Sequence, residues 1–257
     1  MDLGLTGRRA LVTGGSKGIG LASAKVLARE GCDVVLVSRT QADLERARDE
    51  IAKFANVGIE IETLDLSKDD VHQGLVDRHG EIDILVNNAG AIPGGTLGDI
   101  DQARWRAAWD LKMFGYIGLT RLFYARMAAR SRGVIVNIIG AAGERMNAAY
   151  IAGSAANAGL MAFTRALGGA SPAQSVRVVG INPGPVATGR FETLHRAQAK
   201  SLWGDEERWQ ELVAKLPFGR AATPEEIGNM VAFLASDLSA YTTGTVVTID
   251  GGLANRG

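Results

Sequence analysis

Short apolar runs rich in valine and isoleucine alternate with helix-patterned segments along the whole chain. The pattern predicts strands over Arg9–Thr13, Asp33–Ser38, Ile59–Leu64, Ile82–Asn87, Gly133–Ile139, Val176–Ile181 and Gly244–Ile249. Helices are predicted over Ile19–Glu30, Gln41–Phe54, 68–79, Asp101–Arg130, Ala148–Ala170 and Pro224–Ser236, the last with proline in its first turn. Apolar strands separated by helices mean a parallel sheet covered on both faces. Right-handed crossovers then make a doubly wound α/β fold of the Rossmann type. No linker or internal repeat interrupts the pattern, so residues 1–257 read as a single domain. Only 188–218 breaks the alternation. This polar, basic, helix-prone stretch reads as a lid over a substrate pocket or, alternatively, as an extra helical pair.

Composition narrows the function. The 28 basic and 28 acidic residues balance, which argues against binding nucleic acid or an acidic membrane by bulk electrostatics. Cys32 is the single cysteine, so neither an intrachain disulfide nor a cysteine metal site is expected. Histidines and acids show no metal-ligand spacing, and no catalytic metal is expected. No apolar run is long enough to span a membrane. The first residues lack a basic region followed by an apolar core, so no secretory signal is read there. The expectation is a cytoplasmic globular protein. The 33 glycines exceed the usual share, and no low-complexity tract absorbs them.

Part of that excess lies in Thr13-Gly14-Gly15-Ser16-Lys17-Gly18-Ile19-Gly20, between the first strand and first helix. Glycines there permit a tight turn and close approach of backbone to a pyrophosphate, and the helix N-terminus offers free N–H groups. The strand-turn-helix context makes this a dinucleotide-binding loop. The second strand ends in Ser38-Arg39-Thr40, where an acid would grip a free ribose 2′-hydroxyl. Arg39 instead suits a 2′-phosphate, and Lys17 adds a second positive charge. Together they point to NADP(H).

Thr13–Gly20, Asn87-Asn88-Ala89-Gly90, Tyr150 opening a helix, Asn182-Pro183-Gly184 and Asp250-Gly251-Gly252 resemble the short-chain dehydrogenase/reductase family. Within it the chain is most similar to 3-oxoacyl carrier-protein reductases. The resemblance covers essentially the whole chain. It implies a seven-stranded sheet, a nicotinamide cofactor and a homotetramer or homodimer. It also implies cofactor contacts from Gly14, Ser16, Lys17, Gly18, Ile19 and Gly20, and from Ser38 and Arg39. Asp65 and Leu66 would lie at the adenine, with Asn88, Ala89 and Gly90 beside the cofactor. Pro183, Gly184, Val186 and Thr188 would lie near the nicotinamide.

The family works with an asparagine, a serine, a tyrosine and a lysine. Tyr150 matches the tyrosine. Ser154 stands where the lysine is expected, Gly140 replaces the serine, and Lys112 replaces the asparagine. A phenol titrates near pH ~10, so catalysis at neutral pH benefits from a nearby cation. Lys112 either substitutes for the missing lysine behind Tyr150 or pairs with Asp110 or another acid on a helix that faces the neighbouring subunit of a tetramer. For the missing serine the candidates are Asn147, Arg145 and the Gly140 N–H. Asn147 reads equally as a helix cap and Arg145 as a surface residue. In the lid, Arg190, His195, Arg196 and Lys200 either meet an anionic substrate or form a solvated face. The expected function is NADP(H)-dependent interconversion of a small-molecule carbonyl and secondary alcohol. Tyr150 is the proton donor or acceptor, with Lys112, Ser154 and Asn147 in the catalytic set. The alternative is a catalytically silent NADP-binding sensor or scaffold of the same fold.

Overall fold

A computed structural model describes residues 2–256. Seven parallel strands form one sheet: β1 (Arg9–Thr13), β2 (Asp33–Ser38), β3 (Ile59–Thr63), β4 (Ile84–Asn87), β5 (Gly133–Ile138), β6 (Val176–Pro183) and β7 (Val246–Ile249). Their order is β3-β2-β1-β4-β5-β6-β7. The chain therefore winds outward from β1 in one direction and from β4 in the other. The crevice at the carboxyl ends of β1 and β4 is where such sheets bind ligands.

Period-2 alternation builds both cores at once. Val12 and Leu36 point to one face, where they meet Leu27 of α1 (Gly18–Arg29), Leu44 of α2 (Gln41–Ala52) and Ile227 of α9 (Pro224–Ala235). Leu11 and Val35 point to the other, against Leu75 of α3 (Asp70–His79) and Phe123 of α5 (Gly115–Ala129). All these side chains are buried. A side chain on Gly228 would stand 3.0 Å from the Ala22 carbonyl oxygen, so glycine lets α9 lie close on α1.

A buried polar ladder crosses the middle of the sheet. Asn87 and Asn137 are register partners in β4 and β5. Asn87 Nδ2 donates to Asn137 Oδ1 at 2.9 Å and to Thr120 Oγ1 at 3.0 Å. Asn137 Nδ2 donates to Thr164 Oγ1 at 2.9 Å, on α6 (Ile151–Ala170). These buried amide hydrogen bonds fix how α5 and α6 sit on the sheet, although Asn87 Oδ1 itself has no partner among the described residues.

Three elements differ from the sequence reading. The single helix expected over Asp101–Arg130 is α4 (Gln102–Trp109), then a π-helical turn over Asp110–Phe114, then α5. The long helix expected from Ala148 begins at Ile151, with Tyr150 at its cap in a non-helical conformation, φ −139° and ψ 41°. The 188–218 stretch divides into α7 (Gly189–Trp203) and α8 (Trp209–Val213), parted by Gly204 at φ +73°.

Candidate active site

At the carboxyl ends of the central strands lies a cleft of about 620 Å³. One end is the glycine loop. Gly14 and Gly18 have φ of +64° and +59°, which disfavours any side chain. A Cβ on Gly14 would come within 2.8 Å of Asn88 Nδ2. Asn88 holds the loop through Nδ2, which donates to the carbonyls of Thr13 and Gly14 at 3.0 and 3.3 Å. Thr13 Oγ1 in turn accepts from the backbone of Asn88 and Ala89.

Of the expected cofactor residues, Gly14, Ser16, Lys17, Gly18, Ile19, Ser38, Arg39, Leu66, Asn88, Ala89, Gly90, Pro183, Gly184 and Thr188 line the cleft. Three do not. Gly20 packs on the Gly14 carbonyl and shapes the loop from behind. The Asp65 carboxylate is held by the Ser67 N–H and hydroxyl. Val186 is buried in a bridge to Ala222. The two cations at this end also differ. Lys17 pairs with Asp43 at 2.7 Å, whereas Arg39 forms no ion pair among the described residues. Lys17, Arg39, Lys112 and Arg190 line the cleft, and no carboxylate does. The cleft is thus suited to an anion.

The other end is built by α6, the loop before it and the π turn. Gly95 and Tyr150 form a parallel bridge, which fixes the Tyr150 backbone against the 91–100 loop. Tyr150 lines the cleft and its ring lies across Gly153, where a Cβ would sit 2.0 Å from the ring. Burial raises the Tyr150 phenol above its ordinary value, and the Arg190 charge pulls the other way.

Lys112 sits on the π turn, buried, and is not paired with Asp110. Its Nζ donates to the carbonyls of Ile138 and Ile139 at 2.8 and 2.9 Å and to the Tyr116 hydroxyl at 3.3 Å. An ammonium has three hydrogens, and these acceptors use all of them. Burial lowers the amine to about 7, with Arg190 adding to the effect. Lys112 therefore reaches the cleft without a hydrogen bond to Tyr150, and the cation acting on the phenol is Arg190. The expectation that Lys112 stands in behind Tyr150 is corrected accordingly.

Two further catalytic expectations are overturned. The Ser154 hydroxyl turns away from the cleft, accepting from the Asn147 N–H at 3.0 Å and facing its carbonyl. Asn147 is exposed and closes a local turn by accepting from Ala149 N at 2.9 Å. The residue one turn beyond Gly153 is Asn157, and it lines the cleft. Sequence reading counted the turn from Tyr150 and passed over Asn157. The signal was the bare Gly153, four residues before it.

The lid contributes one basic group. Arg190 lines the cleft and bonds the Ile92 carbonyl. Arg196 is spent on Glu192 and Glu207. Lys200 lies 3.8 Å from Glu206, and His195 faces the Phe191 carbonyl. Those three form the solvated face. Among the described residues no group of three potential ligands is placed to hold a metal ion. No helix of the described residues is long and apolar enough to cross a membrane.

Residues 14–254 match the family model described as enoyl-(acyl carrier protein) reductase. The 3-oxoacyl-(acyl-carrier-protein) reductase FabG of Chlamydia pneumoniae is 32% identical over 98% of this chain and 99% of its own. The fold superimposes on L-sorbose reductase from Gluconobacter frateurii, solved with NADPH and L-sorbose. That match has a TM-score of 0.91 and 29% identity over the full length of both chains. It also superimposes on an NAD+-bound xylitol dehydrogenase, with a TM-score of 0.88 and 26% identity over 96% of this chain and 99% of the other. The chain belongs to the short-chain dehydrogenase/reductase family and is similar to its 3-oxoacyl carrier-protein reductases. It is an oxidoreductase of that family.

Proposed function

We propose that the protein uses NADP(H) to interconvert a carbonyl and a secondary alcohol in a small molecule, with Tyr150 handling the proton. One observation carries the reading. A single cleft runs from a glycine cradle with an unpaired arginine to a tyrosine set on a helix cap. Gly14 and Gly18, both at positive φ and lining the cleft, let the loop backbone approach a pyrophosphate, and the first turn of α1 presents N–H groups to it. Arg39 offers two parallel N–H groups to a 2′-phosphate. The bound nicotinamide supplies or accepts the hydride.

The chain's own residues manage the rest. A phenol raised by burial is protonated at neutral pH, so Tyr150 holds the proton it gives, and the Arg190 charge, pulling the other way, eases its release. It gives its hydroxyl proton to the oxygen as the carbonyl carbon gains hydride, and recovers one from water. Arg190 offsets the charge left on the phenolate. We also read the chain as cytoplasmic and as a homo-oligomer. Phe233, Leu238 and Tyr241 are exposed within nine residues of one another and offer an apolar surface to a second copy.

Nicotinamide absorbance followed over a panel of ketones, β-ketoacyl thioesters and secondary alcohols tests the reading. Turnover with NADPH in preference to NADH is expected. Tight NADPH binding without turnover of any member would instead favour the silent sensor.

A further inference from the structure

Asn157 is the side chain in the cleft that the fold leaves unsatisfied. It is 4% exposed, and its Oδ1 is buried without a hydrogen-bond partner. Native proteins rarely leave such a group unpaired, and each exception calls for a reason. The other polar groups considered for the substrate oxygen are otherwise occupied. Gly140 N donates to Asn182 Oδ1 at 3.3 Å, and Arg145 Nη1 to the Leu253 carbonyl at 3.2 Å. The Lys112 hydrogens go to Ile138, Ile139 and Tyr116. Asn147 is closed on its own turn.

Asn157 also fills a particular place. A Cβ on Gly140 would stand 2.9 Å from Asn157 Nδ2, and Gly140 has φ +141°, which a side chain rarely adopts. The end of β5 is thus shaped to carry no side chain, and the amide from α6 occupies the adjoining space. Tyr150, Gly140 and Asn157 line the same cleft.

We propose that the Asn157 carboxamide binds the reacting oxygen of the substrate, beside Tyr150. A carboxamide suits both forms of that oxygen. Its NH2, which makes no hydrogen bond among the described residues and lies beside Gly140, donates to that oxygen in either form. This rests on the oxidoreductase reading and names the group that polarises its substrate. The unpaired Oδ1 is held at a cost in stability.

The test compares wild type with N157L and N157D, using NADPH and acetoacetyl-N-acetylcysteamine as probes. N157L is expected to lower kcat/KM about 100-fold, as losing one oxyanion donor does. NADPH affinity stays within about twofold. The melting temperature of N157L holds or rises by about 2–4 °C, since a buried unpaired polar group has been removed. A purely structural asparagine would lower it. In wild type loaded with NADPH, the Asn157 side-chain amide signals, assigned by their loss in N157D, shift when the thioester is added. That readout does not need turnover. Absent turnover with a shifted amide counts against the oxidoreductase reading and keeps Asn157 as a ligand-binding group. Unchanged kcat/KM with an unmoved amide overturns the Asn157 assignment, as does a loss confined to NADPH affinity.

Discussion

Glycines at 140 and 153 do as much to shape the active end as the polar residues do. Gly153 is bare so that the Tyr150 ring can lie on the helix backbone. Gly153→Ala puts a Cβ where the ring is, and something must move. The expected result is a fall in turnover of at least about 10-fold with α6 still folded, read from steady-state rates and circular dichroism. Arg39 makes a separate prediction. Removing one charge-assisted contact to phosphate costs about 1.5–3 kcal/mol, or roughly 10- to 100-fold in affinity. Arg39→Ala should weaken NADPH binding by that factor and leave NADH binding nearly unchanged, measured by cofactor fluorescence titration. The glycine loop and Arg39 were legible in the sequence because local spacing defines both. Asn157 was not. Its place in the cleft follows from the Tyr150 ring lying over Gly153, a local contact whose only mark in the sequence is the bare glycine.

At the scale of elements, the π turn over Asp110–Phe114 is the informative departure. The apolar pattern through 101–130 reads as one helix, since an extra residue in one turn barely disturbs the periodicity. The turn carries Lys112 inward beneath Gly90, where a Cβ would stand 2.7 Å from its Cδ. That placement has a pH signature. The Lys112 amine releases its proton at about 7 in the folded protein, against an ordinary value of 10.5. Between those values the unfolded chain binds more protons, so stability rises with pH. The slope it contributes is at most one proton, about 1.36 kcal/mol per pH unit. Urea unfolding of wild type from pH 7 to 10 should show that rise, and Lys112→Met should flatten it. The lid shows the opposite relation between sequence and structure. Its basic residues were visible, but α7 and the turn after it supply Glu192, Glu206 and Glu207 to neutralise most of them.

For the whole molecule, alternation of strand and helix was enough to reach a doubly wound sheet. The strand order β3-β2-β1-β4-β5-β6-β7 then puts every binding loop at one edge. The buried ladder from Asn87 through Asn137 to Thr164 holds the strand ends and α6 together, so the glycine cradle and Tyr150 share one rigid cleft. The central claim is that this cleft reduces a carbonyl with Tyr150 as the acid. The most direct measurement is NADPH-dependent turnover in Tyr150→Phe, with NADPH affinity measured on the same preparation. Loss of a general acid is expected to lower kcat by about 10²–10⁴-fold with cofactor affinity intact. Unchanged turnover would contradict the account.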